Sequence, residues 1–148
     1  MYKNSNISIG QSKTANMLFA VELTRRYKNF GITSNSLMPG VIMTNLARHM
    51  DKNVVAAMSA NPHFKTIEQG ASTTVWAAVA PELEGKGGLY LENCNISHEV
   101  KAEEIAKERA KGFAEGVPTG YVAYALNEEN AKKLWTVTEE MIERAMKN

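Results

Sequence analysis

Between Ser12 and Tyr27 apolar residues recur every four positions, with Ala15, Phe19, Leu23 and Tyr27 in one row and Leu18 beside it. That spacing predicts an α-helix. Met17, Ala20 and Val21 widen the stripe to a second face, so the helix is expected to be internal and covered on two sides. Asn29 and Gly31 then supply stop chemistry, because glycine tolerates the left-handed conformation that closes many helices. Ile32 to Met38 opens on β-branched residues and ends at Pro39-Gly40, a pair that continues neither a helix nor a ladder. A strand is expected there, and the order helix, short loop, strand, turn is half of a βαβ unit.

Residues 44 to 65 show no sustained period, and Asn61-Pro62 breaks anything regular. Ile67 to Val79 predicts a second buried helix, with Ile67, Ala71, Val75 and Val79 in one row and Trp76 and Ala78 nearby. Pro81 and Gly85-Lys86-Gly87-Gly88 end it, and Leu89-Tyr90-Leu91 is a short strand. Ser97 to Lys111 is charge-rich with few apolar anchors, so any helix there is solvated. The last helix starts at an N-cap, Asn127, with Glu128 and Glu129 in its first turn. Glu128/Lys132, Glu129/Lys133 and Glu140/Arg144 are its i,i+4 pairs, and its expected buried stripe is Ala131, Leu134, Trp135, Thr138, Met141, Ile142 and Ala145. Gly112 to Gly120 is the linker-like stretch.

The 148 residues are 44% hydrophobic and 22% charged, the proportions of one globular domain. Seventeen Lys and Arg against sixteen Asp and Glu leave a net charge of +1, so no field draws nucleic acid. The single cysteine, Cys94, forms no internal disulfide and belongs to no CxxC pair, which points to a reducing compartment. No apolar run approaches the ~20 residues needed to span a bilayer, and no signal-peptide core is present, so the cytoplasm is the expected location.

Several motifs fail on their spacing. His98-Glu99 lacks a second histidine one turn on, where Ala102 stands, so no metal site is expected. Gly85-Lys86-Gly87-Gly88 follows a helix and precedes a strand, the reverse of a dinucleotide-binding loop, and is a turn. Cys94 with three scattered histidines carries no nucleophile signature.

One series of motifs does carry chemistry: Gly10-Gln11-Ser12-Lys13-Thr14-Ala15-Asn16, the long helix, the strand, and Pro39-Gly40-Val41-Ile42-Met43-Thr44. Glu68-Gln69-Gly70-Ala71, Gly87-Gly88-Leu89-Tyr90, and Tyr124-Ala125-Leu126 leading into Leu134-Trp135 follow in order. Together they resemble the second half of a short-chain dehydrogenase/reductase, in the branch of the retinol dehydrogenases and the WW-domain-containing oxidoreductase, over nearly the whole chain. The resemblance implies an α/β fold, the carboxyl half of a Rossmann-type doubly wound parallel sheet, with two parallel strands flanked by helices. Residues 1–148 would be a single partial domain whose nucleotide-binding first half lies elsewhere. The implied activity is NAD- or NADP-dependent exchange between an alcohol and a carbonyl in a small-molecule substrate.

In that family a Tyr-x-x-x-Lys pair opens the long helix, where the ammonium one turn away lowers the phenol's pKa and suits it to proton transfer. By this resemblance Lys13 is the lysine, catalytic and binding the nicotinamide ribose, while Pro39, Gly40, Ile42 and Thr44 border the nicotinamide. The tyrosine position is occupied by Ile9, which has no proton to exchange. Residues 45 to 65 and 95 to 127 correspond to the family's variable substrate-covering segments. The leading expectation is a truncated oxidoreductase, inactive alone. A split enzyme completed by another chain, and a non-catalytic interaction protein, are the alternatives. Self-association through an exposed sheet edge is expected.

Overall fold

A computed structural model describes residues 5–45, 48, 51–111 and 118–147; the side chains of 5–9, 54, 57 and 58 are outside that description. The chain divides into two compact units, one holding the segments up to Ser36, Leu83–Tyr90 and from Val122 on, the other Leu37–Glu82 and Leu91–Tyr121.

In the first unit, α1 spans Ser5–Tyr27, beginning earlier than the apolar row from Ser12 indicates. Its buried seam is Ala20, Val21 and Thr24, together with Glu22, while Phe19 and Tyr27 stay substantially exposed. Consecutive Ala20, Val21 and Glu22 point to different faces, so the helix is covered on more than one side as expected, although the row of Phe19 and Tyr27 is not its most buried one. Gly88 lies against Val21, and a Cβ at Gly87 would stand 2.8 Å from the Thr33 side chain. Facing α1 is α5, Glu128–Met146, which starts at the expected cap, with the Asn127 side chain accepting from the Asn130 N–H. Trp135 stacks on Phe19 with centroids 5.4 Å apart, and the Arg26 guanidinium sits 4.7 Å from the Trp135 ring centre. Of the expected α5 stripe only Ala131 is buried, Leu134 and Trp135 are half-buried, and Thr138, Met141, Ile142 and Ala145 are exposed. Contact with α1 is made early in α5, and beyond it no described element covers the stripe. Of the expected ion pairs on this helix, Glu140–Arg144 forms at 3.3 Å.

After α1 a 3-10 turn, Lys28–Phe30, is closed by Gly31 at φ 76°. The strand expected over Ile32–Met38 is shorter: β1 is Ser36–Met38. Polar side chains compete for the backbone before it. The Thr24 hydroxyl donates to the Ser34 carbonyl and accepts from the Ser34 N–H, both at 2.9 Å. Asn35 donates to the Lys86 carbonyl and accepts from the Leu89 N–H.

In the second unit, α2 is Lys52–Ser59, α3 is Ile67–Val79 and α4 is Ala102–Ala110. α4 is solvated as expected, with Ile105 its half-buried anchor. α3 has the expected bounds because Thr66 and Gln69 cap each other reciprocally. Its burial is the reverse of the expected one. Ile67, Val75 and Val79 are 65%, 59% and 71% exposed, and Gly70 and Thr73 face inward. Gly70 is inward because Ile42 lies so close that a Cβ would meet its Cδ1 and Cγ1.

β2 is Tyr90–Glu92 and β3 is Asn95–Ile96; Leu91 pairs with Ile96 and Glu92 with Asn95 in an antiparallel hairpin. Asn93 and Cys94 join them with φ of 50° and 55°, the left-handed pair that primed two-residue hairpin turns require. Among the described residues the strands form one sheet in the order β1-β2-β3. The two expected strands, β1 and β2, are thus joined by a third, antiparallel one that is too short to show an alternating pattern. Residues 112–117 of the linker-like stretch lie outside the described ones. No helix among the described residues is long and apolar enough to cross a membrane.

Candidate functional site

Lys13 lies on α1 in the first unit, with its side chain exposed. The helix carries positions 9 and 13 one turn apart on the same face, as the resemblance requires; the side chain of Ile9 is outside the described ones. Next to Lys13, the Thr14 hydroxyl donates back to the Gly10 carbonyl at 3.2 Å.

Pro39, Gly40, Ile42 and Thr44 follow β1 in the second unit, the first three half-buried and Thr44 exposed. This loop is fixed by residues that carry no sequence signal of their own. The Lys65 N–H donates to the Val41 carbonyl at 2.8 Å, and Ile42 forms a parallel bridge with Lys65. Gly40 has φ 101°, and a Cβ there would stand 2.6 Å from Lys65 Cδ. The loop glycine therefore does two things: it adopts a backbone angle closed to other residues and makes room for a lysine stem. Lys65 Nζ donates to Asn93 Oδ1 at 2.8 Å in the hairpin turn. That turn is held in place by fully buried Thr73, whose Oγ1 accepts from the Cys94 N–H at 3.2 Å.

A second feature missed in the sequence is Glu92. Its buried carboxylate accepts from the Ser97 hydroxyl at 2.6 Å and the Gly120 N–H at 2.8 Å, so one side chain ties both ends of the segment between them. The Val100 N–H donates to the Tyr121 carbonyl, and the Tyr121 N–H to the His98 carbonyl, closing the same neck. Burial of a carboxylate is costly unless it is hydrogen-bonded, and here Oε1 accepts both bonds.

Comparison with known proteins gives the arrangement a lineage. A short-chain dehydrogenase/reductase of Penicillium roqueforti is 35% identical over 139 residues, 90% of this chain. Retinol dehydrogenase 14 of Mus musculus is 33% identical over 94% of the chain, and the human WW domain-containing oxidoreductase 41% identical over 68%. This chain is a relative of the short-chain dehydrogenase/reductases. It spans 37%, 36% and 25% of the lengths of those three relatives. It matches no protein-family model.

Against a nicotinamide dinucleotide, the family's cofactor, the residues fit in part. Lys13 in the first unit and Thr44 in the second are exposed residues whose side chains can donate hydrogen bonds. A pyrophosphate needs a glycine-rich turn that opens a helix. The glycines at 85–88 lead into β2, and Gly87 and Gly88 are packed against Thr33, Thr24 and Val21, leaving no cradle there.

Proposed function

We propose that these 148 residues form one portion of a Rossmann-type short-chain dehydrogenase/reductase domain whose whole carries out NAD- or NADP-dependent exchange between an alcohol and a carbonyl. In this reading β1 and β2 are parallel neighbours in the larger sheet, and the substrate is a small molecule. Lys13 stands at the family's lysine position, Ile9 at its tyrosine position, and Pro39, Gly40, Ile42 and Thr44 beside the nicotinamide. The carrying observation is similarity at 33–41% identity along most of the chain to about a third or less of each relative.

The reading leaves two tasks that these 148 residues do not perform. One is holding the pyrophosphate, and the other is donating the proton that Ile9 cannot. A polypeptide of these residues alone is then inactive and binds NAD(P) weakly. Titration calorimetry with NAD, NADH, NADP and NADPH tests this. Dissociation constants well above about 10 μM, equivalent to less than roughly 7 kcal/mol of binding, are expected. Tighter binding of any of the four would show that a dinucleotide cradle exists within these residues.

A further inference from the structure

Lys65 makes three contacts with two separate pieces of the second unit. Its N–H bonds the Val41 carbonyl at 2.8 Å, its stem covers Gly40, and its Nζ bonds Asn93 Oδ1 at 2.8 Å. Thr66, the next residue, is the N-cap of α3, so the backbone of Lys65 is anchored to the start of a capped helix. Lysine suits this place because its long apolar stem can lie on a glycine while the ammonium stays at the surface to bond an amide oxygen.

We propose that Lys65 is a positioning residue, which holds the Pro39–Ile42 loop in place by clamping it to the start of α3 and to the β2–β3 turn. The proposal rests on the preceding reading only for what the loop faces; the clamp itself is a property of this chain. Three attachments converge on it. Bridging to Ile42 sets the loop's register, and Ile42 then packs on Gly70 of α3. The left-handed turn that offers Asn93 is fixed from the other side by Thr73. Loss of the ammonium leaves the stem over Gly40 but frees it from the turn.

Amide hydrogen exchange, measured on the full chain without cofactor, reads the clamp directly. In Lys65→Met the amide at position 65 should exchange about tenfold faster, the effect of one lost hydrogen bond of ordinary strength. Asn93→Ala should match it, and the double variant should add nothing further. Lys65→Arg keeps both a stem and a donor and should restore the original rate. Amides of α1 and α5 serve as a control for global unfolding and should be unchanged. Unchanged exchange in Lys65→Met and Asn93→Ala, additive effects in the double variant, or Lys65→Arg exchanging as fast as Lys65→Met would overturn the clamp. Weak or absent cofactor binding leaves this result untouched, and failure of the clamp leaves the cofactor reading standing.

Discussion

Glu22 has no solvent exposure, yet it sits in the second half of a helix that a purely apolar seam would serve. Its carboxylate receives Arg25 Nε and Nη2 at 2.8 and 2.7 Å and Arg26 Nε at 2.7 Å. The bond from Arg25 first, and that from Arg26, outweigh burial and hold the carboxyl at about 2, below its ordinary 4.5. A lowered folded-state pKa stabilises above the unfolded value and loses that contribution as pH falls from about 4.5 through about 2. Glu22→Gln should therefore cost about 1.5–3 kcal/mol at pH 7, the range for hydrogen bonds to charged groups. Urea denaturation of both forms at pH 7 and pH 2 checks this: the gap should shrink in acid, and a constant gap would mean the charge is irrelevant. Gly70 makes a second test at this scale. Alanine would normally gain about 1 kcal/mol in a helix interior. Here its Cβ would strike Ile42, and overpacking costs about 1–3 kcal/mol, so Gly70→Ala should lower the melting temperature. Adding Ile42→Val, which removes the colliding Cδ1, should recover part of the loss.

The β2–β3 hairpin turns on Asn93 and Cys94, both left-handed, where the preferred pair is Asn-Gly. A left-handed non-glycine residue costs about 1–2 kcal/mol, and the bond that matters at Cys94, from its N–H to Thr73, survives loss of the side chain. Cys94→Gly should accordingly raise stability by about 1 kcal/mol, read as a higher midpoint in thermal melts; a lower midpoint would mean the thiol's contacts outweigh the strain. Among the elements, α3 was legible through its apolar period and the start of α5 through its local cap, Asn127. Which face of α3 is buried was not. A period defines an apolar row, but whether anything covers it depends on distant segments, and Gly70 and Thr73 face inward while Ile67 and Val79 do not. The same limit hides Lys65 and Glu92. Each acts through a partner 28 residues away, so neither makes a motif.

At the scale of the whole molecule, the roles of Lys13, Pro39, Gly40, Ile42 and Thr44 come from family resemblance alone, because no hydrogen bond or packing contact of these residues carries the chemistry by itself. The relation to short-chain dehydrogenase/reductases rests on identity along most of the chain, which spans 37% and 36% of the lengths of two such relatives. In the proposed function, position 9 and Lys13 occupy the places of the family's proton-carrying pair, with the tyrosine replaced. A phenol placed at position 9 would share a helix face with Lys13, but proton transfer does redox work only where a nicotinamide is held within reach. The decisive measurement joins these 148 residues to the nucleotide-binding first half of a related enzyme and follows NADPH consumption with a panel of aldehydes and ketones. General acid/base groups contribute about 10² to 10⁴ in rate, so the chimera carrying Ile9→Tyr should outpace the one that keeps Ile9 by about that factor. Equal rates in the two chimeras would contradict the claim, because position 9 would then not be where the proton is carried.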